Sequence, residues 1–131
     1  MAVLSQDILV NLSEQAATSS RLRMNYNLHT SFHDQVQRMF NALEPGTEVP
    51  IARHPDSSET LIMLRGKLRV LIFDGNGNIT EEVVIAAGSE NIGYHIPKGT
   101  WHKVESLEHG TVCFETREGP YAPVAECDIM K

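Results

Sequence analysis

Two imidazoles and one carboxylate make a divalent-metal site with open coordination positions, as in facial-triad iron sites and three-ligand zinc sites. His54, Glu59 and His102 are spaced to supply that set. Neighbouring residues on a strand point to opposite faces, so ligands of a site inside a β-structure must come from separate strands whose inward side chains converge. The spacing predicts that His54 ends one strand, that Glu59 begins the next after the turn PDSS, and that His102 enters from a distant strand after PKGTW. If these strands share one interior, the three side chains meet. A blander reading stands beside each: His102 as a rim histidine, and Glu59 as a solvated turn residue.

The elements that must position these residues are mostly strands. Residues 5–19 read as a helix, with Ser5 able to cap it, Asp7 in the first turn, and Leu4, Ile8, Leu12 and Ala16 recurring at about one turn. In RLRMNYNLH, the residues Leu22, Met24, Tyr26 and Leu28 alternate with polar ones, the period of a strand. DQVQRMFNALEPG fits both periods, and local pattern alone favours a helix. TEVPIARH, ETLIMLRG, KLRVLIFD, NITEEVVIAA, YHIPKG, WHKVESLE and GTVCFETRE are short β-rich runs. Turn signals separate them, DGNGN being the strongest because Gly and Asn tolerate positive φ. Short strands at this spacing, with no helix between them, predict an all-β sandwich or barrel. The proline-containing tail GPYAPVAECDIMK is expected to be irregular, and Gly46, Gly66 and Gly99 to hold positive φ in turns. Trp101 is expected to cap the barrel mouth rather than stack on a ligand.

With 131 residues the chain has the size of one domain. We divide it into residues 1–30, a helix and strand that pack on the barrel or on a partner subunit, and the barrel itself, 31–131. A net charge of −6 argues against nucleic acid or an anionic membrane as the main partner. It favours a small ligand, although an anionic one would need a local basic pocket. No apolar run approaches the roughly 18 residues of a membrane span, and the N-terminus has no basic segment followed by an apolar core, so a cytoplasmic location is expected. Cys113 and Cys127 do not form a disulfide framework, and Cys113 reads as a small buried hydrophobe.

Gly46, His54, Glu59 and Gly66, then Pro97, Gly99 and His102, fit the two motifs of the cupin superfamily, GxxxxxHxHxxxxExxxxxxG and PxGxxH. The chain thus resembles a cupin, and the resemblance implies a double-stranded β-helix, or jelly-roll barrel, with a short N-terminal helix. It also turns residues 34–46 into a strand leading to the first motif glycine. One position departs from the pattern: Ala52 stands where the first histidine of HxH belongs. Either the metal keeps three protein ligands, or another residue such as His29, His33 or His95 substitutes, or affinity has been lost. For His95, between Tyr94 and Ile96 on a strand, a half-exposed structural role is the simpler reading.

Across nearly the whole chain the segments NLH (27–29), QRMFNALEPG (37–46), RHPDSSE (53–59), LRGKLRVLIFD (64–74), IPKGTWH (96–102) and FETREGPY (114–121) resemble the WbuC family of cupin fold metalloproteins. Where that family reads PHRHP, this chain reads PIARHP. The resemblance implies a bound divalent metal (Fe, Zn, Mn or Ni), a homodimer, and a setting in bacterial surface-polysaccharide synthesis, but no established reaction. It also suggests a pocket above the metal, with Glu115 or His29 as acid/base and Asn27, Arg38 and Tyr121 as substrate contacts. Arg38 fits a dimer interface equally well. Three activities follow: isomerisation or epimerisation of a sugar or sugar nucleotide, an Fe(II)-dependent oxygenase on the same triad, or a non-catalytic binding module with a weakened metal site.

Overall fold

The computed structural model describes residues 2–131. It contains a helix, α1 (Gln6–Thr18), and eight strands: β1 (Arg23–Asn27), β2 (Val36–Leu43), β3 (Glu59–Arg65), β4 (Lys67–Phe73), β5 (Ile79–Ala86), β6 (Gly93–Ile96), β7 (Trp101–Ser106) and β8 (Thr111–Glu118). They form a five-stranded sheet in the order β1-β2-β8-β3-β6 and a three-stranded sheet in the order β5-β4-β7. Every pairing is antiparallel. This is the jelly-roll architecture expected of the sequence.

Side-chain alternation divides the interior between the two sheets. Leu43, Leu61, Met63, Leu68, Val70, Ile85, Ile96 and Cys113 form the core between them. On the outer face of the larger sheet, Phe40, Ala42 and Val112 pack beneath Leu9, Leu12 and Ala16 of α1. The buried stripe of the helix is therefore rotated from the one expected: Leu12 and Ala16 belong to it, Leu9 joins them, and Leu4 is exposed. Ser5 occupies the N-cap position with extended backbone, but its side chain makes no capping bond.

The ambiguous segment around residue 40 is a strand because Phe40 and Ala42 on one face and Asn41 and Leu43 on the other both find partners across β8. Tertiary pairing overrides the helical spacing there. Gly46, Gly66 and Gly99 all have positive φ. At Gly66, between β3 and β4, a Cβ would also lie 2.7 Å from Thr111 Cα, so the hairpin closes only over glycine.

One expected strand does not form. Residues 47–54 run as an irregular segment touching β7 through an isolated bridge between Ala52 and His102, and the C-terminal tail through a bridge between Ala52 and Ile129. Pro50 supplies no N–H and restricts the residue before it, so a continuous ladder cannot be built there. The segment is held instead by Ala52 N–H to His102 O (3.1 Å), Arg53 N–H to Asp128 O (3.0 Å) and Met130 N–H to Ile51 O (2.8 Å). The tail, irregular apart from a 3-10 turn at Glu126–Asp128, clamps the segment that carries His54. The Arg53 guanidinium adds to the clamp through Asp128 (2.8 Å) and by lying 4.5 Å above the Trp101 ring. Trp101 alternates with His102 and so faces away from the interior, not across its mouth.

No helix among the described residues is long and apolar enough to cross a membrane.

Candidate metal centre and cavity

Glu59 opens β3, His102 is the second residue of β7, and His54 ends the irregular crossing. Each offers one ligand atom, and the three atoms lie within 4.8 Å of one another. Glu59 and His102 are buried and His54 is half-buried. The expected convergence is therefore present, although His54 reaches it from a loop rather than a strand.

Outer contacts orient two of the three side chains, as a metal site would require. His102 Nδ1 is 2.8 Å from the Thr100 carbonyl oxygen, to which its N–H donates, so Nε2 faces the cluster and lies 2.7 Å from Glu59 Oε1. Glu59 Oε2 accepts a hydrogen bond of 2.7 Å from Arg117 Nη2, leaving Oε1 as the atom turned toward the histidines. The donor set and its aim fit a divalent ion held by His54, His102 and Glu59.

Arg117 was not singled out in the sequence. Its Nη2 also donates to Glu115 Oε2 at 2.9 Å, and Glu115 Oε1 accepts from Asn41 Nδ2 at 2.9 Å. Register explains the row: Gln37 faces Arg117 across β2 and β8, and Arg117 faces Glu59 across β8 and β3. Once Glu115 is placed inside, Arg117 two residues on must share its face, and that is the signal by which it could have been found.

Burial and charge act against each other throughout this row. Burial alone would raise the Glu59 carboxyl, but the His102 hydrogen bond and the Arg117 charge hold it well below the usual carboxylate range. Burial, then the nearby Glu59 charge, pushes Glu115 up to about 8, with Arg117 offsetting only part of the effect. For His102, burial favours the neutral ring, yet the hydrogen bond and charge of Glu59 outweigh it and raise its pKa. The His54 pKa is lowered by burial and then by the Arg117 charge.

These residues line one side of a cavity of about 540 Å³, within the range of small-molecule sites. Asn27, His29, Glu115 and Tyr121 line it as expected. His29 Nδ1 lies against the Arg38 backbone, 3.1 Å from its O and 3.3 Å from its N, which leaves Nε2 unbound. Arg38 does not line the cavity: it alternates with Gln37 and Met39, which do, and its side chain is exposed on the outer face. Ala52 does line it, directly opposite His102 in the bridge, so it occupies the corner where a fourth ligand would stand. Neither His33 nor His95 fills that corner: both are exposed, and His95 Nδ1 is bonded to Thr60 Oγ1 at 2.9 Å. His29 lies on the cavity wall but outside the cluster.

Residues 4–85, well over half of the chain, match the family model described as Domain of unknown function (DUF6016). The chain belongs to the DUF6016 family. No curated protein matches it. Among solved structures, the DUF6016 chain is similar to a conserved protein of unknown function from Streptococcus pyogenes, with TM-score 0.63 and 16% identity over 92% of this chain and 90% of that one. It is also similar to the Cnp3 cupin domain of Schizosaccharomyces pombe, with TM-score 0.59 and 11% identity over 74% of this chain and 64% of that one. A third is oxalate oxidase in complex with glycolate, with TM-score 0.60 and 16% identity over 83% of this chain and 57% of that one. The DUF6016 chain thus spans less than two thirds of the last two. At these identities the likeness establishes the fold, a cupin jelly roll.

Proposed function

We propose that this DUF6016 chain is a metal-dependent cupin that moves a proton on a small hydroxylated substrate of the sugar or sugar-nucleotide class. The observation that carries this reading is the convergence of His54, Glu59 and His102 within 4.8 Å on a cavity wall that also bears Glu115. A divalent ion held there would make a coordinated hydroxyl, or the C–H beside a coordinated carbonyl, more acidic. Glu115, fixed by Asn41 and Arg117, exchanges a proton with the bound substrate, its raised carboxyl able to serve as acid or, once ionised, as base. His29 lies on the same cavity with Nε2 unbound and is the second candidate for that exchange. Asn27 and Tyr121 orient the substrate, while Arg117 holds Glu59 in its ligating pose. Resemblance to WbuC proteins adds a surface-polysaccharide setting and a homodimer to the reading.

Elemental analysis after growth in metal-supplemented medium should find about one divalent ion per chain, lost in His102→Ala. Absence of metal, with no uptake on reconstitution, would sink the metal-dependent reading. Incubation of the loaded protein with a panel of sugar nucleotides in D₂O should place deuterium at a carbon-bound position, seen by proton NMR, and Glu115→Gln should abolish the exchange while keeping the metal.

Ala52 favours a second reading, a non-catalytic module that binds its ligand in the same cavity. Ala52→His distinguishes the two. In a weakened binding site it raises metal affinity with no activity to lose, whereas at a tuned three-ligand centre it closes an open position and suppresses the deuterium exchange.

A further inference from the structure

The cavity has a second chemical end. Arg21 and Arg23 both line it, and neither forms an ion pair among the described residues, although acidic residues outnumber basic ones in this chain by seventeen to eleven. Most of the other cations are neutralised: Arg53, Arg69, Lys98, Lys103, Arg117 and Lys131 each pair with a carboxylate. Two like charges without carboxylates on one cavity wall repel each other, Arg23 being partly buried and Arg21 exposed, and an anion between them would relieve that repulsion. Arg23 shows the cost, since burial and then the Arg21 charge lower its pKa.

The backbone between them gives an independent observation. Leu22 has φ +55°, and it is the one non-glycine residue in the left-handed region among those described. That conformation costs an L-residue about 1–2 kcal/mol and persists where the surroundings over-determine it. They do so here: the Leu22 carbonyl accepts both Glu44 N–H (2.9 Å) and Thr47 Oγ1–H (2.8 Å), and Leu22 N–H donates to Ser19 O (3.1 Å). Ser19, whose Oγ accepts Arg21 N–H at 3.2 Å, lines the same end of the cavity. The strained turn therefore fixes the backbone that carries both cavity-lining arginines.

We infer that Arg21 and Arg23 bind the phosphate oxygens of a small phosphorylated ligand. Two guanidinium forks match the charge and the several acceptors of a phosphate better than a bare sugar ring would. The register indicates the ligand's extent. Arg23 faces Leu43, whereas Gln37, six residues earlier on β2, faces Arg117 beside the metal ligands. Six residues of strand span about 20 Å. A ligand that engages both ends is extended, and a nucleoside-diphosphate-linked sugar suits it better than a single free sugar. This last step rests on the small-molecule reading of the cavity proposed above, whereas the phosphate site itself does not.

Calorimetry on the full chain, chelator-treated and zinc-loaded, tests the inference with inorganic phosphate, UDP-glucose and glucose as probes. Phosphate and UDP-glucose should bind, and glucose alone should bind more weakly or not at all. The double variant Arg21→Ala/Arg23→Ala should weaken both phosphate-bearing probes by about tenfold or more, the scale of lost charge-assisted hydrogen bonds. Arg38→Ala removes an exposed arginine outside the cavity and should leave them unchanged. Equal weakening by Arg38→Ala, or no binding of either phosphate-bearing probe by the wild type, would overturn the proposal. Should the alanine variant lose its fold by circular dichroism, Arg21→Gln/Arg23→Gln and backbone NMR shifts of the wild type on adding phosphate decide, with shifts centred on residues 19–25 expected and shifts confined elsewhere refuting it. Zinc uptake is measured on the same samples. Phosphate binding without zinc uptake retains this site and removes the metal reading; zinc uptake without phosphate binding does the reverse.

Discussion

Glu59 and Met63 lie four residues apart on the inner face of β3, and both are 5% exposed. Met63 is surrounded by apolar neighbours and needs nothing else. Glu59 sits among Arg117, His102 and His54, because a buried carboxylate without partners would be expelled or protonated. The same strands therefore build a dry end that stabilises the barrel and a polar end that costs desolvation. A buried ionic network is weak evidence for stability, so its placement on a cavity wall points to chemistry.

The sharpest way to break that comparison is at Glu59. Replacing it by alanine should abolish metal binding, read by elemental analysis, and should leave Arg117 with only Glu115. Breaking a buried pair in this way costs about 3–5 kcal/mol, measurable by urea unfolding. At the dry end, Ile85→Ala should cost about 2–5 kcal/mol with metal stoichiometry unchanged, because Ile85 is fully buried and belongs neither to the cavity wall nor to the metal cluster. If Ile85→Ala also lost the metal, the two ends would not be separable.

Arg117→Met tests whether the outer contact matters without touching a ligand. Metal affinity should fall by about 10–100-fold by calorimetry, and Arg117→Lys should recover part of it by restoring the charge. An unchanged affinity would reduce Arg117 to a structural ion-pair partner.

The smallest expected effect is in pH. His102 has a raised folded pKa, so its contribution to stability is complete below its unfolded value of about 6.5 and is lost as pH rises through the folded one. Glu115, raised to about 8, acts in the same direction from its unfolded value of about 4.3 upward. Glu59, depressed, adds stability above its own unfolded value of about 4.3 and loses it only in acid. Chelator-treated protein should therefore lose stability between about pH 6 and 8 in denaturant melts. Zinc should remove part of that loss by replacing the His102 proton. Stability that rises over this range in chelator-treated protein would contradict the assignment.

Most strands were legible because period-two alternation and glycine turns are local properties. The segments that misled had local signals answerable to distant partners. TEVPIARH has the composition of a strand, but Pro50 and the tail make it a clamped crossing. Arg38 looked equivalent to its neighbours until register placed it on the outer face. Arg117 was hidden because nothing local distinguishes a strand arginine at the surface from one beneath a cavity.

From the sequence alone came the candidate ligand types, their spacing and the jelly-roll class, since motif spacing and alternation are written along the chain. The tertiary structure decided what lies across from what. It placed Ala52 against His102, set Arg117 between Glu59 and Glu115, and brought Arg21 and Arg23 onto the cavity that the metal cluster lines. Those relations depend on strand register and on burial, which are properties of the folded pairings and not of any one segment.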